Sequence, residues 1–418
     1  MASRLTRDSA LNVIGAVLPL VVAVPCLAVL PRHLPTESFS LLLLAWALIG
    51  YAGILDLGLS RSVTLLIARS RENVVEQRET LSTSFVIAFA SGILGALCLW
   101  FGARAFIDVV FKVSLERQAD ATQGLRLVAL SVPLLLPYLI LQGYWDGRER
   151  FAEANLQRVI GGSLPIVLAT AAVLAEATFS SAAVGMLVGR AVALLFSLAR
   201  GGVLRDIRVR HFKVSRLRML LGFGGWITVS GAVGPLMGYL DRYLLAYARG
   251  AGIVAYYAAP SELILKLHVI PTAISRSLYP KLAGTRSGGG TANDLRHAYA
   301  LIVAVSLPLS ALLFFLAPYL LDAWLGADYR AQSSTVLRVL AIGFLFSCLS
   351  QVPFTQLHAK GRPDLVALLH IFEVLIFLPC AYLAAWRYGP LGSAGAWAIR
   401  NFVDLAILHH IGKRAAWH

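Results

Sequence analysis

The chain alternates long apolar runs with short polar breaks. The runs extend over about Ser9 to Leu30, Phe39 to Ala68, Leu81 to Phe101, Gly124 to Trp145, Asn155 to Ala177, Ser180 to Ala199, Leu217 to Tyr247, Ile253 to Ala283, Leu295 to Leu316, Gln332 to Leu357, Leu365 to Trp386 and Leu391 to Ile411. A helix needs roughly 20 apolar residues to cross a bilayer core, and each run supplies them. None shows the period-two alternation of a barrel strand. Internal prolines such as Pro19, Pro133, Pro165, Pro271 and Pro379 fit kinked helices whose neighbours satisfy the freed carbonyls. The pattern therefore predicts an all-α integral membrane protein with twelve transmembrane helices.

Composition excludes a soluble enzyme with a tail anchor. Hydrophobic residues make up 58% of the 418 positions, and charged residues only 14%, against roughly 25% in soluble domains. The breaks are too short to hold a folded catalytic domain. No Walker, nucleotide-binding or zinc-ligand spacing occurs, so neither an enzyme nor a bound cofactor is expected. The four cysteines, Cys26, Cys98, Cys348 and Cys380, lie in apolar runs without paired spacing and read as small hydrophobes.

The formal charge of +15 is mostly topology. With the amino terminus inside, twenty-two basic residues fall in inner segments, nine in outer segments and six within runs. That bias places both termini in the cytoplasm. No nucleic-acid partner is implied. The basic start resembles a signal peptide, but no small-residue cleavage site follows, and Pro31-Arg32-His33-Leu34-Pro35 intervenes; a retained first span is expected.

An internal repeat organises the chain. Gln142, Gly147 and Arg148 recur as Gln356, Gly361 and Arg362, Pro165 recurs as Pro379, and Ser60-Arg61-Ser62 recurs as Ser275-Arg276-Ser277. The offsets are close to half the chain, and six spans per half is an even number. The halves therefore share one orientation, as a parallel repeat about an axis along the membrane normal. The expected division is a six-helix bundle over 1–201, a basic cytoplasmic linker over 202–216 and a second bundle over 217–418. The linker alternates apolar residues with Arg205, Arg208, Arg210 and Lys213. Such a segment rests on anionic membrane lipid or touches a phosphorylated substrate.

Eleven ionisable residues fall within runs: Arg61, Arg190, Arg242, Lys266, Arg276, Arg400, Asp56, Asp241, Glu262, Glu373 and Asp404. Each costs roughly 2.5 to 3.5 kcal/mol if it faces lipid at a helix centre, so they must face one another or a wet cavity. Glu262 with Lys266, and Arg400 with Asp404, are spaced i, i+4 and share helix faces. These pairs are structural or functional. Arg190 has no acidic neighbour on its own helix, and His370 with Glu373, spaced i, i+3, is either a proton carrier or a satisfied polar contact. Arginines in a dry cavity suit an anionic, phosphate-bearing substrate. The adjacent acids suit a coupling proton or sodium ion. This is the chemistry of a transporter.

Several segments resemble a known family. They are Asn12 with Pro19, Tyr51-Ala-Gly-Ile-Leu-Asp56-Leu-Gly-Leu-Ser-Arg61, Asp241-Arg242-Tyr-Leu-Leu, Tyr256-Tyr257-Ala-Ala-Pro260, Leu278-Tyr-Pro280-Lys-Leu and Gly361-Arg362-Pro363. Together they are similar to the bacterial polysaccharide and O-antigen flippases of the multidrug/oligosaccharidyl-lipid/polysaccharide exporter superfamily. The resemblance implies two six-helix bundles around a central cavity. It also implies alternating access that carries an undecaprenyl-pyrophosphate-linked oligosaccharide from the inner to the outer leaflet, driven by an ion gradient and working with other polysaccharide assembly proteins. Arg61, Arg190, Lys266, Arg276 and Arg400 become candidate substrate-binding residues. Asp56, Asp241, Glu262, Glu373 and Asp404 become candidate ion-coupling residues.

A multidrug and toxin exporter would share the fold, with a more acidic or aromatic cavity. The lipid II flippase branch usually has two further helices. A major-facilitator protein would carry Gly-x-x-x-Asp-Arg-x-Gly after the second span, where this chain has Arg69-Ser-Arg-Glu-Asn-Val-Val-Glu-Gln-Arg78. A membrane polymerase would carry a long outer loop, and the longest here, about Gly102 to Gln123, is too short.

Overall fold

The computed structural model describes residues 2–56, 58–70, 73–269, 271–272, 274–275, 290–360 and 362–414. These are helical throughout, with no strand among the described residues. Among the described residues seven helices are long and apolar enough to cross a membrane, and the last of them, Asp364–Lys413, is long enough to cross twice. The chain forms two compact units, Met1–Leu236 and Met237–His418.

The first unit contains α1 (Ala2–His33), α2 (Thr36–Ala52), α3 (Leu59–Arg69), α4 (Val74–Ala105), α5 (Gln118–Gly147), α6 (Phe151–Ala175), α7 (Phe179–Ala199), the short α8 (Val203–Asp206) and the start of α9 (Val214–Arg249). The expected second span is broken in two. A 3-10 turn over Gly53–Asp56 and left-handed Gly58, at φ 67°, separate α2 from α3. Glycine alone adopts that backbone without a Cβ penalty. Asp56 then accepts hydrogen bonds from Ser60 N at 3.1 Å and Ser60 Oγ at 2.6 Å, capping the first turn of α3.

Close helix approach depends on small residues, as in other membrane bundles. A Cβ on Gly147 would lie 2.6 Å from the Thr64 carbonyl oxygen, and one on Gly189 would lie 2.5 Å from Pro165 Cα. These glycines let α5 lie on α3 and α7 lie on α6. The basic segment after α7 is strapped to the start of α4. Arg78 pairs with Asp206 at 2.7 Å, Arg216 pairs with Glu76 at 2.6 Å, and Lys213 N donates to Thr83 Oγ1 at 3.1 Å. Arg205, Arg208 and Arg210 remain exposed.

The second unit contains the rest of α9, then α10 (Ala255–Leu267), α11 (Gly290–Leu325), α12 (Ala327–Ala359) and α13 (Pro363–Arg414). Two runs read as separate spans are joined in α13 across a kink at Gly389, at φ 60° and ψ −137°. Its limbs fold back on each other: Val366 packs with Leu408, and Glu373 faces Arg400. Phe354, Leu357 and Ile411 complete the apolar cluster at that end.

Candidate functional site

Two buried ion clusters and one isolated cation stand out. In the first cluster, Arg242 on α9 is fully buried. Its Nη1 donates to Glu262 Oε1 on α10 at 2.7 Å, and its Nη2 donates to Ser261 Oγ at 3.1 Å. The guanidinium also stands 4.9 Å over the Tyr239 ring. Asp241 beside it accepts from Arg242 N at 2.8 Å and from the Tyr257 hydroxyl. Lys266 reaches Glu262 at 3.8 Å and is 38% exposed. Two acids face two bases, so the cluster is neutral and each charge has a partner.

The second cluster joins the limbs of α13. Arg400 Nε lies 3.6 Å from Glu373 Oε2, His370 Nε2 lies 3.7 Å from Asp404 Oδ1, and Arg400 stands 5.4 Å over the Phe377 ring. Ligand atoms of His370, Glu373 and Asp404 all fall within 4.8 Å of one another. Both Glu373 carboxylate oxygens and Asp404 Oδ1 are buried without a hydrogen-bond partner. Two carboxylates here face one guanidinium and one imidazole, an arrangement that can take a proton or a monovalent cation.

The isolated cation is Arg190, on α7. Its Nη1 donates to the Gly161 carbonyl on α6 at 3.3 Å, and its Nε is buried with no hydrogen-bond partner. No carboxylate pairs with it among the described residues. Nearby acid is already committed: Arg158 takes Asp146 through two hydrogen bonds of 2.8 and 2.6 Å. Tyr138 Oη donates to the Gln157 carbonyl at 2.5 Å, and Gln157 Nε2 donates back to the Tyr138 carbonyl at 2.9 Å, which holds α5 on α6 beside Gly161. A buried cation without a counter-charge costs several kcal/mol. An anion arriving there would find a guanidinium that does not first have to break a salt bridge.

The structure sorts the expected site residues. Lys266 and Glu262 meet as their spacing predicts, but Glu262 holds Arg242 more closely. Arg400 and Asp404 share the face their spacing predicts, and the Gly389 kink adds contacts across the hairpin, Arg400 with Glu373 and His370 with Asp404. Asp241 is enclosed by Arg242 and Tyr257. Asp56 is engaged as a helix cap, although its Oδ1 is buried without a hydrogen-bond partner. Arg61 is exposed on α3. Arg276, and with it most of the Ser275-Arg276-Ser277 repeat, lies outside the described residues. Arg242 takes a central place that sequence reasoning did not assign, and His370, linked by spacing to Glu373, also meets Asp404. For Arg242 the available signal was the adjacent Asp241-Arg242 pair inside an apolar run.

Solved structures with this fold are transporters. An inward-facing multidrug resistance MATE family transporter of the MOP superfamily superposes with a TM-score of 0.80 at 17% identity, covering 96% of this chain and 98% of its own. The lipid II flippase MurJ, in an inward closed conformation, superposes with a TM-score of 0.78 at 15% identity, covering 98% of this chain and 87% of its own. These likenesses establish the fold, one shared with multi-pass membrane transporters. A family profile described as "Polysaccharide biosynthesis protein" matches residues 8–286, and the chain belongs to that family. The "Putative O-antigen transporter" of Shigella flexneri is 33% identical over 412 residues, 98% of this chain and 97% of its own length. The relatives are transporters and not enzymes.

Proposed function

We propose that the protein flips an undecaprenyl-pyrophosphate-linked oligosaccharide, an O-antigen or related repeat unit, from the inner to the outer leaflet of the bacterial inner membrane. The observation that carries this reading is Arg190, a half-buried guanidinium that pairs with no carboxylate among the described residues, in a chain of the polysaccharide biosynthesis protein family. A pyrophosphate would supply its counter-charge. Arg61, Lys266, Arg276 and Arg400 remain further proposed substrate-binding residues.

Twelve crossings in two six-helix halves follow when α2 and α3 count as one crossing and the limbs of α13 as two. Both termini then lie in the cytoplasm, and the basic segment over 202–216 joins the halves there. Alternating access would be coupled to a proton or sodium gradient. Glu373 and Asp404, with His370, are the foremost coupling groups, because their ligand atoms converge and three of the carboxylate oxygens have no hydrogen-bond partner. Asp241 and Glu262 are already balanced by Arg242 and Lys266, and Asp56 caps α3. The three would respond to the ion mainly through rearrangement of those contacts.

Proteoliposomes carrying fluorescent undecaprenyl-pyrophosphate oligosaccharide test the reading. Wild-type protein is expected to move the lipid to the opposite leaflet, and Arg190→Gln to lose most of that activity at normal expression. The fold similarity to MATE transporters favours one second reading, export of organic cations. Efflux of a cationic dye without lipid flipping would establish that reading and overturn the first.

A further inference from the structure

A second binding site lies where α4 and α5 end, away from the ion clusters. A pocket of about 730 Å³ opens between the last turns of α4 and the first turns of α5, lined by Trp100, Arg104, Asp108, Gln118, Gln123 and Arg126 among others. It sits at the opposite end of α4 from Glu76 and Arg78, which hold the basic segment. On the orientation read from the basic residues, this is the outer face. A tryptophan at the end of an apolar helix belongs at headgroup depth.

The charges decide the ligand class. Arg126 stands 5.5 Å over the Trp100 ring and pairs with no carboxylate among the described residues. Arg104 is 79% exposed and reaches Asp108 at only 3.5 Å. Two guanidiniums against one carboxylate leave the pocket with one positive charge, the complement of a phosphodiester. Trp100 carries an arginine over its face, so that face is closed to sugar stacking. Leu115 and Leu127 supply an apolar wall where acyl chains begin. We infer that this pocket is a docking site for an anionic phospholipid, with the phosphodiester between Arg104 and Arg126, the glycerol backbone against Trp100 and the headgroup hydroxyls toward Gln118 and Gln123. The inference is independent of the transported substrate.

Native mass spectrometry of the full-length protein, titrated with phosphatidylglycerol or phosphatidylcholine, tests it. A basic residue at a membrane surface contributes about fivefold in affinity, so Arg104→Gln with Arg126→Gln is expected to weaken retention of one phosphatidylglycerol by roughly 25-fold. Asp108→Asn is expected to strengthen it, a change of opposite sign that misfolding would not produce. Phosphatidylcholine, which is uncharged overall, is expected to compete poorly, and soluble glycerol phosphate is expected not to displace the lipid. Equal phosphatidylglycerol retention in wild type and the double variant would overturn the inference. So would displacement by glycerol phosphate, which would make this a site for a free phosphate, or displacement by a neutral oligosaccharide, which would make it a sugar site.

Discussion

Glu262→Gln removes one negative charge from the Asp241–Arg242–Glu262–Lys266 cluster while keeping the shape of the side chain. Arg242 is fully buried and loses its closest counter-charge, at 2.7 Å. Breaking a buried pair by removing one partner costs about 3 to 5 kcal/mol, because the remaining charge stays desolvated. Asp241 still faces Arg242, so the lower end, about 3 kcal/mol, is expected. Arg242→Gln should cost a similar amount by stranding Glu262. The double variant returns the cluster to one acid and one base, so its loss should fall short of the sum of the two by at least ~1 kcal/mol. Lys266→Gln provides the contrast. Lys266 is 38% exposed and 3.8 Å from Glu262, so its loss should cost under about 1 kcal/mol. Unfolding by titration with sodium dodecyl sulfate in mixed micelles, followed by circular dichroism, measures all four. If Glu262→Gln costs no more than Lys266→Gln, or the two single losses simply add, the Arg242–Glu262 pair does not hold α9 to α10 and the reasoning fails.

Arg190→Gln should uncouple stability from transport. It removes an uncompensated buried charge, so unfolding resistance should be unchanged or rise by about 1 kcal/mol while flipping falls; a marked loss of stability would mean that Arg190 is a structural residue. Glu373→Gln should abolish gradient-driven flipping but leave slow exchange of lipid down its own concentration gradient, and a variant still driven normally by an imposed ion gradient would remove this site from coupling. Gly147→Leu should destabilise by about 1 to 3 kcal/mol, because its Cβ would meet the Thr64 carbonyl at 2.6 Å. Gly238→Ala, where no neighbour lies within 4 Å, should instead stabilise by up to about 1 kcal/mol; equal effects at the two sites would refute the packing argument.

Much of the architecture is legible in one dimension because a bilayer imposes a one-dimensional rule. Each crossing must satisfy its own backbone within one helix, so run length and the placement of lysine and arginine carry topology. The runs from Leu81 to Ala199 correspond to α4 through α7. The break inside Phe39 to Ala68 is harder to read, since Gly53 and Gly58 are common residues in membrane helices and only the realised φ of 67° at Gly58 marks the turn. The repeat motifs were visible, but several of their second copies lie outside the described residues.

The candidate site divides in the same way. The sequence alone determined that this is a helical membrane transporter with charges its helices must shelter, because apolar length and the cost of charge in lipid leave little else. It did not determine which charges meet. Helical spacing put Arg400 and Asp404 on one face, and only the kink at Gly389 brought Glu373 to Arg400 and His370 to Asp404. It left Arg242 unassigned, and α10 supplied Glu262 and Ser261 to enclose it. Only the tertiary structure showed Arg190 without a carboxylate among the described residues, since pairing across helices depends on backbone kinks and on glycines that set approach distance. Those act over several ångströms in space while leaving the apolar pattern unchanged.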